Sequence, residues 1–96
     1  MMGKVKSEKV IFVFYTFEDK SKGGSWSYVL PKNWWFVGSG STSSVSGKKL
    51  KYENEEQFQG PKTTQKNTIQ YLDKFFKKLK SKGVITIYKI RQSYLP

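Results

Sequence analysis

One stretch of this chain has helical period, and the rest must be built from strands around it. Ile69, Leu72, Phe75, Phe76 and Leu79 fall at i, i+3, i+6, i+7 and i+10, a single apolar stripe. The spacing predicts a helix over about 64–82. Pro61 with Thr63 or Thr64 supplies the start signals, and Lys80 and Lys82 suit the negative end of the helix dipole. Gly83 suits the left-handed residue just beyond the last turn. One amphipathic helix needs one apolar layer to lie on. The expected fold is therefore α+β, a mainly antiparallel sheet of four to five strands with the helix on one face, in the order β-β-β-β-α-β.

The strand signals are uneven. "KVIFVFYTF", 9–17, is β-branched and aromatic throughout, which predicts a central strand apolar on both faces. Gly23-Gly24 punctuates a turn, after which "WSYVL", 26–30, is expected to pair back as a hairpin, and Pro31 ends it. "WWFV", 34–37, is a third short strand. The Gly/Ser stretch 38–47 is too polar to pack and is expected to be a loop. "KKLKY", 48–52, alternates weakly as a fourth strand, and 53–61 is expected to be irregular. "VITIYKI", 84–90, is the last strand and the least ambiguous. Phe12, Phe14, Phe75, Phe76 and Tyr88 are expected in the core. No repeat or second domain is visible, so residues 1–96 are expected to form one nucleic-acid-binding domain, for the reasons that follow.

The charge balance narrows the partner. Eighteen basic residues face seven acidic ones, a formal charge of +11, and Arg91 is the sole arginine. Such a surplus favours a polyanion. Lysine is a point charge on phosphate, whereas reading guanine edges relies on arginine's fork. A lysine-rich surface also arises simply as a solubilised one. With no histidine the commonest general base and metal ligand is missing, and with no cysteine there is no thiolate site or disulfide framework. Glu18-Asp19 fits a solvated turn better than a metal-nuclease carboxylate set, and Glu53, Glu55 and Glu56 lack the calcium-loop pattern. "GSGSTSSVSGKK" departs from the Walker spacing, and no helix follows it. No enzyme, catalytic residue, metal or cofactor is expected. No apolar run approaches a membrane span, and "MMGKVKSEKV" has no apolar region before a cleavage site, so neither a membrane nor a secretory signal is expected.

The aromatic residues supply the sharpest expectation. Trp26, Tyr28, Trp34, Trp35 and Phe36 are hard to bury together, and neighbours on a strand point to opposite faces. With a helix on one face only, at least one of Trp34 and Trp35 belongs on the open face or rim. Rings there, flanked by Lys32, Lys48, Lys49, Lys51 and Arg91, suit a single nucleic-acid strand, whose bases stack while its phosphates meet cations. Trp26 and Tyr28 form a second possible platform. A flexible 38–47 arm, with lysines at its base, is expected to fold over the bound strand. Otherwise the rings would make a dimer interface or a second small core.

In length, basicity, absence of Cys and His, and the strands "KVIFVFYTF" and "VITIYKI" around one helix, the chain resembles the small single-stranded-DNA-binding proteins of archaeal rod-shaped viruses that lack an OB barrel. That resemblance implies a non-enzymatic, dimeric protein serving viral genome replication. The expected function is thus sequence-tolerant binding of single-stranded DNA or RNA, inside the cell (the host cytoplasm, if viral), possible homodimerisation included. The alternatives are a protein-interaction module or viral inhibitor covering an acidic partner surface, and a duplex-DNA-binding regulator.

Overall fold

A computed structural model describes residues 8–19, 21 and 26–94. Four strands and one helix follow one another: β1 (Glu8–Phe17), β2 (Trp35–Ser46), β3 (Lys49–Pro61), a single 3-10 turn (Lys62–Thr64), α1 (Gln65–Ser81) and β4 (Ile87–Tyr94). The sheet is antiparallel throughout, in the order β2-β3-β1-β4. The helix covers one face, giving the α+β fold expected, with four strands.

The helical stripe decides the packing. Leu72 and Phe76 are fully buried, and Ile69, Phe75 and Leu79 pack at the margin of the same core. They meet the odd-numbered side of β1, where Ile11, Val13, Tyr15 and Phe17 all point inward. The C-terminus closes as a Schellman motif. Gly83, at φ 74, donates its N–H to Lys80 O (3.0 Å), and Val84 donates to Leu79 O (3.0 Å). Gly83 plays the part expected of it. Val84 and Ile85 then complete that cap and the core, so β4 starts only at Ile87.

Three segments depart from expectation. Residues 26–30 are not a strand: Trp26, Tyr28 and Leu30 lie against the core beside the helix. The Gly23-Gly24 turn lies outside the described residues. The stretch 38–47 is not a loop but the body of β2, paired residue by residue with β3 from Gly38↔Gln57 to Ser46↔Lys49. The hairpin turns at Gly47-Lys48, and Gly47 takes φ 65, the left-handed region a two-residue hairpin loop requires. Residues 53–61 are likewise strand, because their alternation places Glu56, Phe58 and Gly60 inward and the other polar residues outward.

A polar network crosses the core. Trp26 Nε1–H donates to Tyr28 OH (2.7 Å), Tyr28 OH donates to Glu56 Oε1, and Asn54 Nδ2 donates to Tyr15 OH (3.1 Å). Glu56 is only 5% exposed, so the hydroxyls around it supply what water would. Burial first, and the Glu56 carboxylate second, hold the hydroxyls of Tyr15 and Tyr28 well above the ordinary tyrosine range. The folded state therefore keeps protons that the unfolded chain releases above about pH 10. Stability from these two groups is full below that point and falls as pH rises beyond it, by up to about 1.4 kcal/mol per pH unit for each. Urea midpoints measured on either side of about pH 10 should decline, and Tyr28→Phe should make the decline shallower.

Candidate nucleic-acid interface

The face away from the helix carries no further layer among the described residues. On β1 it presents Phe12, Phe14 and Thr16, half-buried even-numbered residues that alternate with the core, while Val10 at the end of the same row is buried, at 2% exposed. The pairings align them with Gln59, Gln57, Glu55 and Glu53 of β3 on one side, and with Ser93, Arg91, Lys89 and Ile87 of β4 on the other. Across β3, the outer strand β2 contributes Trp35, Gly38, Gly40 and Thr42.

Phe12 and Phe14 are thus surface rings, contrary to their expected place in the core. Their centroids are 6.3 Å apart and their planes 22° from parallel. Arg91 lies over both, with its guanidinium carbon 5.4 Å from each centroid. That spacing is the strand's own two-residue repeat of about 6.8 Å. A cation over two surface rings is worth about 0.5–1 kcal/mol, so a stacking ligand displaces it at modest cost.

Next to Phe14 the face is concave. A groove of about 580 Å³ runs over Phe14 and Thr16, walled by Glu53 and Glu55 on one side and by Ile87 and Lys89 on the other. Ile87 is 57% exposed at its edge. Gly40 lies at the far side, where a Cβ would meet nothing within 4 Å, so the groove is open toward β2.

The two adjacent tryptophans part company. Trp34 is 6% exposed, donates Nε1–H to Thr64 Oγ1 (2.6 Å) and lies on Gly60, where a Cβ would sit 2.3 Å from its ring. Thr64 is the residue before the helix, yet its hydroxyl serves Trp34 and makes no cap bond. Trp35 is 46% exposed on the open face, opposite Gln59. A bulge between Phe36 and Gly38 absorbs Val37, so Phe36 faces the helix side while Trp35 and Gly38 both face outward.

Of the other residues expected at the site, Lys49, Lys51 and Arg91 join Trp35 on the open face by strand alternation. Lys48 is exposed at the hairpin tip, and Lys32 is exposed in the turn before Trp34. Trp26 and Tyr28 are not an outer platform. Their rings contact Tyr15, Phe75, Phe76 and Phe58 on the helix side. Nor do Lys48, Lys49 and Lys51 adjoin the tryptophans. Because β2 is extended, Lys48 and Trp35 are separated by thirteen positions of strand, roughly 40 Å. The stretch 38–47, being the body of β2, is not an arm folded over Trp35.

Phe12, Phe14 and Lys89 were legible by alternation, since a strand apolar on both faces beside a single helix leaves one face uncovered. Among the described residues no group of three His, Cys, Asp or Glu is arranged to hold a metal ion, and no helix is long and apolar enough to cross a membrane. No protein-family model, curated protein or solved structure matches the chain.

Proposed function

We propose that this chain binds single-stranded nucleic acid, DNA or RNA, without enzymatic activity and with broad tolerance of sequence. The observation that carries the proposal is the uncovered sheet face, with Phe12, Phe14 and Trp35 as rings and Arg91 and Lys89 alongside. Four-stranded sheets bind single strands by stacking two or three bases on such rings while cations take the phosphates. A strand lying along β1 would set its bases on Phe12 and Phe14 and its phosphates along β4. Lys51, Lys49 and Lys48 would continue the cationic track at the hairpin end. Duplex DNA offers no free base faces to the rings, and the outer face of α1, with Lys74, Lys77 and Lys78, is a full layer away. Service in genome replication, within a cell or a virus-infected host, fits such binding and is part of the proposal.

The test is a tryptophan-fluorescence titration of mixed-sequence oligonucleotides against salt. Single strands should bind more tightly than duplex, with log K falling steeply as log salt rises. Lys48→Ala with Lys49→Ala should flatten that slope by about 0.7 for each phosphate that is no longer neutralised. Lys74→Ala with Lys78→Ala should change it less. Equal or tighter duplex binding would reject the proposal. So would absent binding with concentration-dependent dimers in sedimentation, which would make the face a protein interface instead.

A further inference from the structure

A protein of formal charge +11 has seven acidic residues, and two of them, Glu53 and Glu55, stand on the face where phosphates would be drawn. Both are exposed, and neither has a hydrogen bond or ion pair within the described residues. Neither is tied to a neighbouring lysine by an ion pair. They form one wall of the groove whose floor includes Phe14 and whose opposite wall carries Lys89. Directly across the sheet, Gly40 pairs with Glu55, Glu55 with Phe14, and Phe14 with Lys89.

That row differs from the one beside it in its cation, Lys89 in place of Arg91, and in the side chain next to the ring. Gly38, Gln57, Phe12 and Arg91 repeat the sequence of glycine, polar side chain, ring and cation, but with an amide where the other has a carboxylate. An amide both donates and accepts, so it suits any base edge. A carboxylate only accepts. A base stacked on Phe14 with its backbone toward Lys89 would turn its far edge to Glu55 and Glu53, and Gly40 leaves room for it. Cytosine, adenine and guanine present an amino group that donates to a carboxylate, whereas thymine and uracil present only one N3–H, flanked by two carbonyls that a carboxylate repels.

The geometry points to a base-reading subsite at Phe14, Glu53 and Glu55 that prefers bases bearing an exocyclic amino group over thymine or uracil. It rests on the single-strand function proposed above and adds one preference to otherwise tolerant binding. The phosphate of that nucleotide meets Lys89, the base face meets Phe14, and the amino group donates to a carboxylate oxygen.

The experiment compares oligo(dC), oligo(dA) and oligo(dT) of equal length on the full chain, read by tryptophan fluorescence. The wild type should bind oligo(dC) and oligo(dA) roughly 5- to 100-fold more tightly than oligo(dT), the range of one base-edge contact. Glu53→Gln with Glu55→Gln removes two negative charges and so raises all affinities. The decisive quantity is therefore the ratio between oligonucleotides, which should collapse toward one. Circular dichroism checks that the variant is folded. Equal or tighter oligo(dT) binding by the wild type overturns the base preference and leaves the single-strand function standing. A ratio that survives in the double variant also overturns it, since the preference then lies elsewhere. Absence of binding to all three overturns both.

Discussion

Replacing Phe12 and Phe14 together by alanine should lower single-strand affinity by about 2–6 kcal/mol, from two stacked bases at about 1–3 kcal/mol each. Each single variant should fall between the wild type and the pair. The two effects need not add, because both rings share Arg91 and one bound strand. The salt slope should hardly change, since stacking releases no counterions. The fold should survive, because the buried residues that meet α1 lie on the other face of β1. Titration of labelled oligonucleotides against the folded variants measures this directly. Wild-type affinity in the double variant would remove the rings from the binding surface.

Trp34→Ala should have the larger effect on stability, a loss of about 3–5 kcal/mol in urea unfolding. The indole fills the space above Gly60, and its N–H ties the helix start to the chain entering β2. Deleting it leaves a cavity, an unmatched Thr64 hydroxyl and no anchor for the bulged strand. For a domain whose total stability is about 5–15 kcal/mol, that is a large part of it. Trp35→Ala should do the reverse. Its ring is half exposed, so unfolding should shift little while single-strand affinity falls by about 1–3 kcal/mol. Adjacent, identical residues should thus separate completely in two assays. Similar behaviour of the two variants in both assays would contradict the division of roles.

The helix was legible because five apolar residues keep one period and Gly83 marks its end. β1 and its mainly apolar character were legible for the same kind of reason. β2 was not. Glycine and serine have little strand propensity, and nothing local distinguishes 38–47 from a loop. It is a strand because β3 pairs with it along its length, a non-local cause that no window contains. β3 was obscured by its glutamates, which look irregular until alternate positions are sorted by face. Alternation did require the two tryptophans to point apart. Which one goes inside depends on Gly60, twenty-six positions away, and on the bulge at Val37. The site was half legible: Trp35, Lys49, Lys51 and Arg91 lie on the open face, while Trp26, Tyr28 and Trp34 are spent on the core. Phe12 and Phe14 read as core in the sequence because a ring in a strongly apolar strand is usually buried.

The most direct measurement is NMR chemical-shift mapping on the full chain as a mixed-sequence single-stranded oligonucleotide is added. The binding surface proposed here requires the largest shifts at Phe12, Phe14, Trp35, Lys89 and Arg91, with Lys49 and Lys51 following at the hairpin end. The outer helix positions Lys74, Lys77 and Lys78 should move little. Shifts concentrated on those helix lysines, with Phe12 and Phe14 unmoved, would contradict it.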